Sequence, residues 1–262
     1  MSRTALFAGT GGLPALLARR LAGTGAQPVI CALEDQPPEL APDLTFRLET
    51  LGTLLAALRA RDVTRICLAG AIRRPRIDPA RIDAATAPLV ARLGEALARG
   101  DDGALRILMG LLEAEGLTIL AAHEIAPDLL LSATPPPAGA DAAEAALAAA
   151  TIAEMGAADA GQACVVRGGV VIAREGPEGT DAMLAALGPE AAGGILFKAP
   201  KPGQDRRADL PVVGPETAAG AVRAGLRGLV VEAGGVMVLD APRLRAALDE
   251  AGLFLWPREP EA

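Results

Sequence analysis

The sequence has no asparagine and no tyrosine, a single histidine (His123), a single tryptophan, and only two lysines in 262 residues. One histidine removes most imidazole-based metal sites, and it leaves a Ser-His-Asp arrangement only if His123 serves it. Without asparagine, an oxyanion hole cannot rest on that side chain. Aromatics are scarce, with four Phe and no stacking platform for single-stranded bases. The net charge of -7 opposes binding to a phosphate backbone, so nucleic acid is not an expected partner. The three cysteines (Cys31, Cys67 and Cys164) lie far apart in apolar, strand-like settings. They read as buried, reduced thiols rather than a disulfide framework or a metal cluster. No apolar run reaches the ~18 residues of a spanning helix. Arg3 before an apolar run imitates a leader peptide, but Gly9, Gly11, Gly12 and Pro14 break the run. Arg19-Arg20 then stand where cleavage would occur, and a cytoplasmic chain is expected. Chemistry must come from carboxylates, lysine, arginine, hydroxyls and backbone amides.

The two lysines, Lys198 and Lys201, fall in one stretch, Lys198 to Pro211. Between Lys198 and Asp209 that stretch also holds Arg206, Arg207 and Asp205. A chain that otherwise uses arginine keeps lysine where a compact point charge is wanted, and neutralising phosphate is one such use. Pro200, Pro202, Pro211 and Gly203 predict a stiff loop instead of a helix. A solvated loop with two lysines by coincidence is the alternative.

Length allows two modest domains. Thr4–Ala8 predicts a strand, Gly9 to Pro14 a turn, and Leu16 onward a helix stopping near Gly23, with Pro14 in its first turn. Strand, glycine turn and helix start present the amides of Gly11, Gly12 and Leu13 to a phosphate, or form a turn without a ligand. The dinucleotide fingerprint is incomplete because Pro14 occupies its third glycine position, although Glu34 and Asp35 lie where its ribose-binding acid belongs. Strands at 28–33, 65–69 and 117–121 alternate with helices at 54–58, 88–98 and 106–112, which implies a parallel sheet covered by helices. Arg73 and Arg74 leave the carboxyl end of one strand, as an anion site or a solvated basic turn. Asp101-Asp102 resemble a helix N-cap, and His123 reads as a structural histidine. Leu131 to Gly139 reads as a proline-rich linker. The organisation expected is a Rossmann-like domain at 1–132, a linker at 133–139 and a smaller α/β domain at 140–262, with the ligand cleft between the domains. In the second domain, 141–158 predicts an alanine-rich helix and 163–173 a hairpin around Gly168-Gly169. A helix starts near Thr180. Thr180 either caps it or bonds a phosphate oxygen, and Asp181 either stabilises the dipole or binds Mg²⁺. Helices at 216–224 and 242–251 alternate with strands at 228–232 and 253–256.

Taken together, several segments resemble one family. They are Gly9 to Pro14, Gly100 to Leu105, Ala122-His123-Glu124, Glu175 to Met183, Lys198 to Gly214, and Ala224 to Gly234. In this order along the chain they are similar to the UDP-2,3-diacylglucosamine pyrophosphatases of the LpxI type. The resemblance implies two α/β domains and Mg²⁺-dependent cleavage of UDP-2,3-diacylglucosamine to UMP and 2,3-diacylglucosamine 1-phosphate (lipid X) in lipid A synthesis. It places the catalytic aspartate of the Asp-Leu-Pro motif on Asp209, which is expected either to bind Mg²⁺ as the metal ligand or to activate the attacking water. Lys198 is the expected catalytic cation. Gly11, Gly12, Leu13, Thr180, Asp181 and Lys201 are the expected substrate contacts. Where the family often has Gly-Asn-Val, this chain has Gly70-Ala71-Ile72. A lipid-linked nucleotide substrate, a homodimer and peripheral contact with the inner membrane complete the expectations. Two rivals remain: an NAD(P)-dependent Rossmann-type oxidoreductase, and a nucleotide-binding module without catalysis.

Overall fold

The computed structural model describes residues 3–25 and 27–260. They form two compact units, one of 1–127 with 205–209 and one of 128–204 with 210–262.

In the first unit, β1 (Arg3–Ala8), β2 (Val29–Leu33), β3 (Leu44–Phe46), β4 (Val63–Ala69) and β5 (Thr118–Leu120) form a parallel sheet in the order β3-β2-β1-β4-β5. β1 and β2 are buried along nearly their whole length, as a parallel sheet covered on both faces requires. Helices α1 (Gly12–Gly23), α2 (Leu51–Arg59), α3 (Val90–Leu97), α4 (Asp101–Ala114) and α5 (Ala122–Ile125) alternate with them. α1 buries Leu13, Leu17 and Leu21, one per turn on a single face. Phe7, Leu51, Leu58, Ile66 and Leu112 lie in the core of this unit, where truncating a leucine to alanine costs about 2–5 kcal/mol.

Three details differ from the sequence reading. β3 is a three-residue edge strand with no clear apolar signal. A 3₁₀ turn at Ala87–Leu89 takes the start assigned to α3, which begins at Val90. Asp101 and Asp102 are not caps: Gly100 occupies the N-cap in extended backbone and both aspartates lie in the first turn, where their charge suits the dipole.

The second unit contains β6 (Ala163–Arg167), β7 (Val170–Arg174), β8 (Ile195–Lys198), β10 (Gly228–Glu232) and β12 (Phe254–Arg258), in the order β12-β10-β8-β6-β7. β8, β10 and β12 run parallel, while the β6–β7 hairpin is antiparallel, turning on Gly168 and Gly169 at φ 57° and 74°. β9 (Val212–Val213) and β11 (Met237–Val238) form a separate short parallel pair. On one face α6 (Ala142–Ala157) packs Ala145, Ala148 and Ile152 against Cys164, Phe197 and Val230. On the other, α7 (Gly179–Ala185), α8 (Pro215–Arg223) and α9 (Ala241–Glu250) pack against Val165, Leu196, Leu229 and Val231. Asp141 caps α6 by accepting from the amides of Ala143 and Glu144 at 2.8 and 3.3 Å, worth about 1 kcal/mol. The proline-rich stretch runs beside β12. Thr134 donates to the Pro257 carbonyl at 2.9 Å, and its own carbonyl accepts from the Trp256 indole at 3.0 Å.

Among the described residues, no helix is long and apolar enough to cross a membrane.

Candidate active site

The first unit places its glycine turn where the strand order reverses, between the carboxyl ends of β1 and β4. That crevice is where open α/β sheets collect ligands. Two turns are fastened together there. The Gly9 amide donates to Ala69 at 2.8 Å, and Thr10 and Ala71 exchange backbone bonds of 2.9 and 3.0 Å. A side chain at Gly9 would put its Cβ 2.4 Å from the Ala71 carbonyl oxygen, so the close approach requires glycine. Gly11, the N-cap of α1, has φ 92° and open space around its missing Cβ. The amides of Gly12 and Leu13 therefore open the helix with no side-chain cap, while the Leu13 side chain is buried and only its backbone can meet a ligand.

Gln36 holds the neighbouring loop. Its amide donates to the Arg73 carbonyl at 2.7 Å, and its carbonyl accepts from the Arg73 N–H at 2.6 Å. The two arginines then separate. Arg74 straps the loop to the start of α4 through the Arg99 carbonyl (2.7 Å) and Asp101 (3.0 Å). Arg73 stays exposed, an anion-facing candidate at the edge of the crevice. The NAD(P) reading loses support here, because Glu34 lies 3.7 Å from Arg47 and 4.0 Å from Arg81.

In the second unit the lysine loop covers a polar network. Lys198 ends β8 and is buried; its ammonium donates to the Thr180 hydroxyl at 2.5 Å and lies 3.9 Å from Glu175. Thr180 passes its own proton to Glu175 in a short hydrogen bond. The other Glu175 oxygen accepts from the Gln162 amide at 2.5 Å. Thr180 therefore does not cap α7. Glu178 occupies that position, and the Thr180 hydroxyl is used inward. Asp181 is exposed in the first turn, where its charge suits the helix dipole. Lys201 pairs with Asp159 at 2.5 Å, and Gln204 sets its backbone by accepting from the Lys201 amide at 2.9 Å. Each lysine thus has a carboxylate within its own unit.

Asp209 belongs to the segment that packs with the first unit. Asp205 anchors that segment by donating its amide to Asp102 at 3.3 Å, and Ala208 packs against the first core. The Asp205 carboxylate forks onto Arg207 at 2.8 and 3.0 Å, and Arg207 continues to Glu113 at 2.7 Å. This pairing holds the Asp205 carboxyl below its ordinary range. Arg207 is thus shared between Asp205 and Glu113. Asp209 is half-buried, donates its amide to the Asp205 carbonyl at 3.4 Å, and is followed by buried Leu210 and by Pro211. Burial lowers the His123 pKa, with the Arg206 charge adding to the effect, and His123 Nδ1 has no hydrogen-bond partner. Burial pushes the Cys31, Cys67 and Cys164 thiols up to about 12, which excludes them as nucleophiles at neutral pH.

No three His, Cys, Asp or Glu side chains converge among the described residues. Such a donor set cannot form an all-protein cage. A Mg²⁺ site here would rest on a single carboxylate, for which the half-buried Asp209 is the candidate. Between α6 and the lysine loop lies a pocket of about 190 Å³ lined by Ala149, Ala153, Phe197 and Pro200 together with Glu232 and Arg258.

Sequence reasoning missed Glu175, Gln162, Gln204 and Gln36 as working residues. One signal was available. In a chain without asparagine, the few glutamines mark where a neutral side chain can bond backbone groups over a distance.

The LpxI N-terminal domain family matches residues 3–129, and the LpxI C-terminal domain family matches residues 131–256. A protein of Caulobacter vibrioides, UDP-2,3-diacylglucosamine pyrophosphatase LpxI, is 36% identical over 279 residues, covering 100% of this chain and 99% of its own length.

Proposed function

Because the chain belongs to the LpxI family, we propose that it hydrolyses the pyrophosphate bond of UDP-2,3-diacylglucosamine to UMP and 2,3-diacylglucosamine 1-phosphate, a step of lipid A synthesis. The observation that carries this reading is the identity with a named pyrophosphatase along the entire chain.

The chemistry consumes one water. Its oxygen forms the new bond to phosphorus, the bridging oxygen leaves with the other phosphate, and one proton is released. The negative charge that gathers on the non-bridging oxygens must be met by donors already in place. The amides of Gly12 and Leu13 at the start of α1 suit that task, as does the exposed Arg73 guanidinium. In the second unit Lys198 and Lys201 carry the positive charge, and Thr180 holds the Lys198 ammonium. Asp209 is the carboxylate at the reacting phosphate. It would hold Mg²⁺, which supplies polarisation of the phosphoryl oxygens. The alanine and proline part of the pocket beside α6 suits a short segment of an acyl chain, and Glu232 and Arg258 share its lining.

The decisive assay incubates the purified protein with UDP-2,3-diacylglucosamine and Mg²⁺ and measures UMP and lipid X. Equal amounts of both support the reading; absence of UMP rejects it. Asp209→Asn keeps the side-chain shape and removes the charge. Its kcat should fall at least about 1000-fold, a loss of about 4 kcal/mol of transition-state stabilisation, with substrate still bound. A normal kcat in that variant would take Asp209 out of the reaction.

A further inference from the structure

We propose that Glu175 and Thr180 are positioning residues for Lys198, fixing its ammonium at the carboxyl end of β8. The geometry is directional. Lys198 Nζ donates to Thr180 Oγ1 at 2.5 Å, so the hydroxyl accepts from the ammonium. The hydroxyl has one proton and gives it to Glu175 Oε1. Glu175 is anchored in turn, because its other oxygen takes the Gln162 amide at 2.5 Å and its own amide donates to the Ala163 carbonyl at 2.9 Å. The order ammonium, hydroxyl, carboxylate, backbone leaves each member one orientation.

The strands flanking β8 present Ala163 and Val231 opposite Lys198, and neither titrates. Glu232, the next residue on β10, lies near Gly235, where an added Cβ would meet its carboxylate. From α7 the neighbouring Asp181 is exposed. Glu175 is a carboxylate placed to compensate Lys198, 3.9 Å away, with the two side chains 9% and 10% exposed. A buried ammonium without a counter-ion is strongly disfavoured. The relay favours the charged form of the lysine at this place. Use of that charge against a pyrophosphate rests on the function proposed above; the relay itself does not.

The two-lysine composition makes the test direct. Lysine labelled with ¹³C at its ε-carbon gives two NMR signals, and Lys201→Arg identifies the one from Lys198. In Glu175→Gln the titration midpoint of Lys198 should fall by at least about one unit from wild type. Thr180→Val should lower it in the same direction, and Thr180→Ser, which restores the hydroxyl, should return it to within about 0.3 units. A midpoint in Glu175→Gln equal to wild type would overturn the proposal. If Glu175→Gln does not fold, the Thr180 pair decides alone, and equal midpoints in Thr180→Val and Thr180→Ser reject the relay. Turnover is measured separately. With wild-type activity established, Thr180→Val should lose at least about tenfold in kcat with KM within about threefold. An unchanged kcat would reject the positioning role. Wild-type protein inactive on UDP-2,3-diacylglucosamine would reject the proposed function while leaving the NMR result to judge the relay.

Discussion

The glycine turn of the first unit and the lysine network of the second both suit an anion, but they are built from opposite materials. The turn uses backbone: Gly9 for close approach, Gly11 for a left-handed extended conformation, and two helix-opening amides. It contains no buried charge. The network uses side chains, with a buried ammonium, a hydroxyl and a carboxylate joined to the backbone. A backbone site depends on conformation, so a single methyl group can disturb it. A buried ionic site depends on compensation, so removing one partner strands the other.

The contrast is tested most strongly at Lys198. Lys198→Ala leaves Glu175 buried without its cation, and stability should fall by about 3–5 kcal/mol. Lys198→Ala should also lower kcat/KM by at least about 100-fold. Urea unfolding and steady-state kinetics read the two effects. A variant as stable as wild type would show that the network carries no buried charge to strand.

Gly9→Ala comes next. Its Cβ would stand 2.4 Å from the Ala71 carbonyl oxygen, a clash that only backbone movement relieves. Stability should fall by about 2–4 kcal/mol, and the loss should appear in the first unit by hydrogen exchange. Exchange accelerated equally in both units would break the distinction.

Gly11→Ala is milder, because nothing crowds the position and only the φ of 92° is disfavoured. A cost of about 1–3 kcal/mol is expected, accompanied by weaker substrate binding. Normal binding would remove the turn from the site.

The smallest effect concerns pH. His123 has a folded-state pKa below its ordinary 6.5, chiefly through burial. The unfolded chain therefore takes up the proton first. The stability His123 contributes is fully present above about pH 6.5 and is lost as pH falls through that value toward the folded pKa. With no second histidine in the chain, the slope of Tm between about pH 5 and 7 should flatten in His123→Gln. An unchanged slope would assign it to other groups.

The two sites were not equally legible in the sequence. Gly9 to Pro14 announces a turn after an apolar strand, because glycine and proline act on the residues beside them. The Gly168-Gly169 hairpin was legible for the same reason, and α6 through its run of alanines. The partners of the lysines were not. Glu175 lies 23 residues before Lys198 and Asp159 lies 42 before Lys201, so only the fold joins them. The short strands β3, β9 and β11 gave no periodic signal, since two or three residues cannot display one. Asp209 was singled out by motif, yet no local pattern tells that Asp205–Asp209 packs with the first unit.

That packing bears on how the protein is made. The first unit has nearly all its strands and helices once residue 127 is synthesised, but its last five residues arrive about 80 residues later. At about 5–20 residues per second, the ribosome takes roughly 4–16 s to supply them. During that interval Glu113 and Asp102 wait without Arg207 and the Asp205 amide, and the core lacks Ala208. A nascent chain halted at residue 130 should therefore be easier to digest than the same residues in the finished protein, and the aspartate assigned to the reaction is among the last parts of its unit to arrive.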